Sequence, residues 1–182
     1  MAVRDIVLFP DPILKTVCEA VDPQSPETAQ LVQDLIDTVA ASPGVGLAAP
    51  QIGIPKRAFI VDVRPKPGAG LLVLLNPEIV SSSGPKTGRE GCLSIPDFTA
   101  KVRRPQEIVI RGIKPDGSSV VLHSSGFEAV CIQHELDHLD GILFLDRVAS
   151  LKRDVFRRKG FEARFEAKEY PNMIAQDKDQ ES

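Results

Sequence analysis

The chain contains three histidines, and two of them, His134 and His138, stand four residues apart in the run His-Glu-Leu-Asp-His. In an α-helix, positions i and i+4 share a face one turn apart, so both imidazoles can point at one metal ion. Glu135 lies beside them. Its carboxylate can reach a water held at the ion without being a ligand itself, the arrangement that generates hydroxide near neutral pH and moves its proton. The chemistry these residues support is hydrolysis assisted by a divalent metal.

A catalytic ion of this kind takes three protein ligands and keeps one position open, so the third ligand distinguishes the classes. The run from His134 through Gly141 follows the metzincin pattern until its last position, where Phe144 replaces the third histidine, and that class is excluded. His123 ends an apolar run and reads as a strand-end residue. Glu162, Glu166 and Glu169 fall on a charged C-terminal stretch whose ordinary role is a solvated face. Cys92 remains, in the glycine-rich polar loop Gly88-Arg-Glu-Gly-Cys92-Leu-Ser-Ile-Pro96. Cys18 and Cys131 read as packing residues.

Three segments together resemble the signature motifs of the peptide deformylases. They are Gly44-Val45-Gly46-Leu-Ala-Ala-Pro-Gln51, Glu90-Gly91-Cys92-Leu93-Ser94 and Gln133-His134-Glu135-Leu-Asp137-His138-Leu-Asp-Gly141. The likeness runs through most of residues 5–150 and includes Asn76-Pro77. It implies removal of the formyl group from the N-terminal formyl-methionine of new polypeptides, with release of formate. It also implies one divalent ion held by Cys92, His134 and His138, Fe2+ in the cell, with Ni2+, Co2+ or Zn2+ as substitutes. Glu135 would be general base and acid, and Gln51 and the backbone N–H of Leu93 would hold the oxyanion.

By the same resemblance, Gly44, Val45, Gly46, Glu90 and Gly91 border the peptide, and Val45, Phe127, Val130 and Cys131 line a pocket for the methionine side chain. Asp137 and Arg104 are candidates for an ion pair that would brace the motif helix against the Cys92 loop, a plain surface salt bridge being the other reading. Some members carry an arginine a few residues after the Glu-Gly-Cys-Leu-Ser motif that contacts the substrate backbone; Thr99 stands there in this chain. Gly88 likewise stands where a bulkier apolar residue can line the pocket. The residue types suit the chemistry: one thiolate cancels one of the ion's two charges, and two neutral imidazoles leave it able to acidify water. Gly44 and Gly46 allow an extended peptide to approach the backbone and bond like an added strand.

These residues must be positioned by a mixed scaffold. Leu31, Leu35, Ile36 and Val39 recur at helical spacing over 26–41, with Pro26 at the start. Short apolar or β-branched runs at 58–63, 71–75, 107–111 and 119–122, separated by Pro/Gly turns, predict strands of a largely antiparallel sheet. Helical spacing returns over 126–139, and a second candidate helix covers about 150–167, basic in its first half. The expected fold is α+β: mostly antiparallel sheets packed around a central helix carrying the metal motif, with a C-terminal helix. Residues 1–170 read as one catalytic domain and 171–182 as a polar, flexible tail.

With 182 residues, the chain is long enough for one domain with a substantial core. A net charge of −3 provides no basic field for general nucleic-acid binding. The N-terminal apolar run is too short for a signal or a membrane span, and three cysteines without a secretory signal indicate reduced thiols in the cytoplasm. The implied partners are N-formylmethionyl nascent polypeptides; the basic segment 152–159 reads first as a solvated helix face and second as an accessory, transient ribosome contact, and the chain is expected to be a monomer or weak dimer. Two other readings share the motif helix. A metallopeptidase would cut internal bonds, and a non-catalytic relative binding nascent chains or ribosomes would lack a ligand, the base or the glutamine.

Overall fold

A computed structural model describes residues 2–63 and 70–158 of the chain. Helix α1 spans Pro26–Ala40. It begins where Ser25 Oγ accepts the N–H of Thr28 at 3.1 Å, with Pro26 at the first helical position, where no N–H is needed. Its buried face, Leu31, Leu35 and Val39, packs with Leu47, Ile60 and Leu75 of the sheet. Strands β1 (Gly46–Ala48), β2 (Ala58–Asp62), β3 (Leu71–Cys92), β4 (Ile95–Ile113) and β5 (Ser119–Ser125) form that sheet in simple sequence order. Every strand pairing in it is antiparallel.

β3 and β4 extend far beyond the predicted runs at 71–75 and 107–111. Between Val80 and Lys86 the chain is rich in serine, glycine and proline, a composition that reads as loop, yet it is paired nearly residue by residue with β4. The polar side chains face solvent, and breaks in register between Leu75 and Glu78 and between Ile79 and Ser81 bend the ribbon. Pro85 faces Pro105, so the two residues without an N–H share one rung and do not interrupt two. At its far end the hairpin delivers Glu90, Gly91 and Cys92.

Helix α2 spans Gly126–Leu139 and lies among the strands, touching β1, β2, β4 and β5. A helix covered on most sides has no need of a clean polar face. Ala129, Ile132 and Leu139 join the core with Phe59 and Leu74, while His134, Glu135 and His138 are buried as well.

The C-terminal helix is shorter than the sequence reading. α3 covers only Leu151–Asp154, and the chain then turns into strand β6, Val155–Arg157, which pairs with β4 at Phe98–Ala100. β-Branched Val155 is buried there, and Phe156 receives the cations of Arg89 and Lys101 on its ring, contacts that favour extended backbone over continued helix. Positions 159–167 of the expected helix, Glu162, Glu166 and Glu169, and the tail 171–182 lie outside the described residues. Cys18, Cys92 and Cys131 are buried thiols outside any disulfide, and burial pushes the Cys18 thiol up to about 11, as suits a packing residue. Among the described residues no helix is long and apolar enough to cross a membrane.

Candidate metal centre

α2 sets His134 and His138 one turn apart, and the end of β3 brings Cys92 to them. The donor atoms of the three lie within 4.8 Å of one another, and Cys92 Sγ is 3.3 Å from His138 Nε2. Two donors sharing a tetrahedral ion at the usual Zn–S and Zn–N bond lengths stand about 3.5 Å apart, so this cluster has the dimensions of a coordination sphere. His123, by contrast, is exposed on β5 and pairs with Val109, away from the cluster.

The electrostatics fit a cation. His134 Nδ1 is bonded to Glu90 Oε2 at 3.0 Å, which fixes the ring and leaves Nε2 for a metal. Burial alone would lower the pKa of His134, but hydrogen bonds to Cys92 and Glu90 outweigh it and hold the group well above its ordinary value. Surroundings that favour a proton on this ring also favour a metal ion. His138 is driven the other way by burial, with His134 and Arg104 adding to the effect, and is therefore a neutral imidazole, the ligating form.

Glu135 lies alongside, with Oε2 buried and without a hydrogen-bond partner. Burial pushes its carboxyl up to about 7, near the pH at which a group can both take and return a proton. Gly46 lines the cavity and also leaves room for Glu135: a Cβ at this position would collide with the carboxylate Oε1. Any side chain here would force the Glu135 side chain to shift. Gln51 is oriented by the Ala48 N–H, which donates to its Oε1 at 2.9 Å. Its amide Nε2 consequently points into the site, 3.1 Å from Ser94 Oγ and 3.4 Å from Cys92 Sγ.

A buried ion network supports the ligands. Arg104 donates to both oxygens of Glu90, at 2.5 and 3.0 Å, and to Asp137 Oδ2 at 2.8 Å. The brace between Arg104 and Asp137 is therefore present and buried, and it includes Glu90. Glu90, predicted beside the peptide, borders the cavity but has its carboxylate committed to Arg104 and His134, which makes it a support for a ligand. Arg104 and His134 keep it ionised despite burial. Arg147 closes the network on Asp137; nothing in its sequence context singled it out.

A cavity of about 720 Å³ opens onto Cys92, His134 and Glu135, while His138 lies behind it. Gly44, Val45 and Gly46 line it, as do Phe127, Val130 and Cys131, the residues expected around an apolar side chain. Gly91, Leu93 and Gln51 also line it. Gly88 faces open space, and Thr99 accepts a hydrogen bond from Arg89 Nε at 2.8 Å without lining the cavity.

The Polypeptide deformylase family matches residues 3–154. The chain belongs to the peptide deformylase family. It is 39% identical over 160 residues to the peptide deformylase of Thermodesulfovibrio yellowstonii, an alignment covering 87% of this chain and 97% of that one. With the Hydrogenovibrio crunogenus deformylase the identity is 44% over 149 residues, covering 82% and 88%. Among solved structures, the class I type b peptide deformylase of Acinetobacter baumannii with Met-Ala-Ser bound superposes at a TM-score of 0.76 and 36% identity, covering 81% of this chain and 99% of that chain. The α+β fold and the enzyme class expected from the motifs both agree with these relatives.

Proposed function

We propose that this deformylase uses one divalent ion, held by Cys92, His134 and His138, to hydrolyse the formyl group from N-formylmethionyl polypeptides and release formate. The observation that carries the reading is the convergence of these three donors with Glu135 and the Gln51 amide at the end of one apolar cavity. The Acinetobacter relative holds a Met-Ala-Ser peptide, and the cavity here suits the same kind of ligand. An unbranched methionine side chain enters over Val45, Phe127, Val130 and Cys131, while the peptide lies extended beside Gly44–Gly46.

When bound, the ion supplies Lewis acidity to the reacting carbonyl and to the attacking water. Glu135 takes a proton from that water as oxygen adds to the formyl carbon. Gln51 Nε2 exchanges its long contact with Cys92 Sγ for the developing oxyanion, and the Leu93 N–H is the second donor. Losing one such donor costs about 2.7–4 kcal/mol of transition-state stabilisation. As the C–N bond breaks, Glu135 delivers its proton to the amine nitrogen, leaving formate and a free methionyl terminus.

One thiolate and two imidazoles suit several first-row ions; we assign Fe2+, with Ni2+, Co2+ and Zn2+ as substitutes. The substrates are nascent chains, met in the cytoplasm during transient contact with the ribosome. Anaerobic purification with metal analysis and a formate-release assay on formyl-Met-Ala-Ser tests ion and reaction together. Glu135→Gln should retain metal and lose at least 100-fold in kcat, in line with general acid–base contributions, whereas Cys92→Ala should lose both metal and turnover. Full activity in Glu135→Gln, or cleavage of internal bonds in unformylated peptides, would overturn the assignment.

A further inference from the structure

The exposed part of the cavity lining is cationic. Lys86, Arg89 and Arg158 line it, while the carboxylates among the lining residues, Glu90 and Glu135, are both buried, and Glu90 is paired with Arg104. Arg89 is committed to Thr99 Oγ1 at 2.8 Å and to the face of Phe156 at 4.4 Å. Arg158 is anchored differently. Its backbone N–H donates to Asp97 O at 2.8 Å, extending the pairing of β6 with β4, and its side chain crosses over Gly91, where any Cβ would collide with Nη2. The guanidinium is thereby held one residue from the ligand Cys92, and among the described residues none offers it a carboxylate.

We propose that Arg158 is a specificity-determining residue that selects peptides carrying a carboxylate at the second or third position. The proposal rests on the deformylase reading, which places the formyl end at Cys92, His134 and His138. From there an extended chain advances about 3.3 Å per residue, so the residues just after methionine pass the rim that Arg158 and Lys86 line. Arg158 offers a forked donor suited to a carboxylate, and its charge repels lysine or arginine at the same place. If the residue served only to fasten β6 to β3, its loss would slow all peptides equally.

The test is kcat/KM for C-terminally amidated formyl-Met-Ala-Xaa-Ser and formyl-Met-Xaa-Ser peptides with Xaa Glu, Gln or Lys, in metal-loaded wild type and in Arg158→Gln, Arg158→Lys and Arg158→Glu. In wild type, Glu should be favoured over Lys by about three- to tenfold at low salt, mostly through KM, and the preference should shrink as salt shortens the screening length. Arg158→Lys should keep the preference, Arg158→Gln reduce it, and Arg158→Glu abolish or reverse it. Because each ratio is taken within one protein, partial loss of fold or metal cancels. Equal rates for Glu and Lys peptides in wild type, or the same ratio in Arg158→Glu, would overturn the proposal while leaving the deformylase reading intact. Absence of formate from every peptide with metal-loaded wild type would defeat both.

Discussion

Gly46 shows how much of this site depends on a missing side chain. Its hydrogen occupies the space that lets the Glu135 carboxylate stand against β1. Gly46→Ala should displace that carboxylate from its working position, lowering kcat by roughly 10- to 100-fold, since misplacement by about 1 Å can cost as much. Metal content should stay near wild type, because no ligand is moved. Steady-state kinetics with metal analysis check this, and an unchanged kcat would show that Glu135 tolerates the shift. The cluster of Cys92, His134 and His138, with Glu135 and Gln51 beside it, was legible in the sequence because each of these residues belongs to a short motif. Glu90, Arg147 and Arg158 were not legible in these roles: their partners, His134, Asp137 and Gly91, lie 44, 10 and 67 positions away, and a lone charged residue has no pattern that reveals such a partner.

Among the elements, one side chain adds to the backbone bonds that hold the segment before α1 on the sheet. Asn76, at φ 48°, accepts the Val21 N–H with Oδ1 and donates Nδ2 to Val21 O, both at 2.9 Å. Asparagine tolerates left-handed backbone better than other non-glycine residues. Asn76→Ala loses both bonds and adds backbone strain, and should destabilise the fold by about 2–3 kcal/mol, read as a lower urea midpoint. Turnover per folded molecule should not change, because Asn76 is remote from the cavity. The helices and the strands with apolar alternation were predictable from periodicity. The middle of the β3–β4 ribbon was not, because solvent on both sides removes the alternation that marks a strand. The turn from α3 into β6 was hidden for the opposite reason: its basic residues fit a helix well, and only the long-range partner β4 decides against it.

On the scale of the whole molecule, the N-terminal segment is stapled across α1. Arg4 donates to Asp34 Oδ2 from Nε and Nη2 at 2.9 and 2.8 Å, Gln30 donates to Asp34 Oδ1, and Ala2 and Arg4 give backbone N–H groups to Asp37 and Thr38. Burial works to raise the Asp34 pKa, but Gln30 and Arg4 outweigh it, so the folded value lies below the ordinary one. Such a group stabilises the fold fully above its unfolded pKa of about 4 and loses that contribution as pH falls through the folded value. Asp34→Asn should therefore lower Tm at pH 7 by roughly 2–4 °C, and the difference from wild type should shrink as pH falls below about 4. Arg4 is half exposed, and screening keeps the effect modest. Identical pH profiles would show that the pair contributes nothing. Finally, β1 ends the sheet, pairs only with β2 among the described strands, and is three residues long, with Pro43 before it and Pro50 soon after. An edge that can accept a guest strand is also a nucleus for self-association, and brevity separates the two uses. In the proposed reaction a ledge of this length would give the formylated peptide a short edge to lie along, while being too short to template another sheet.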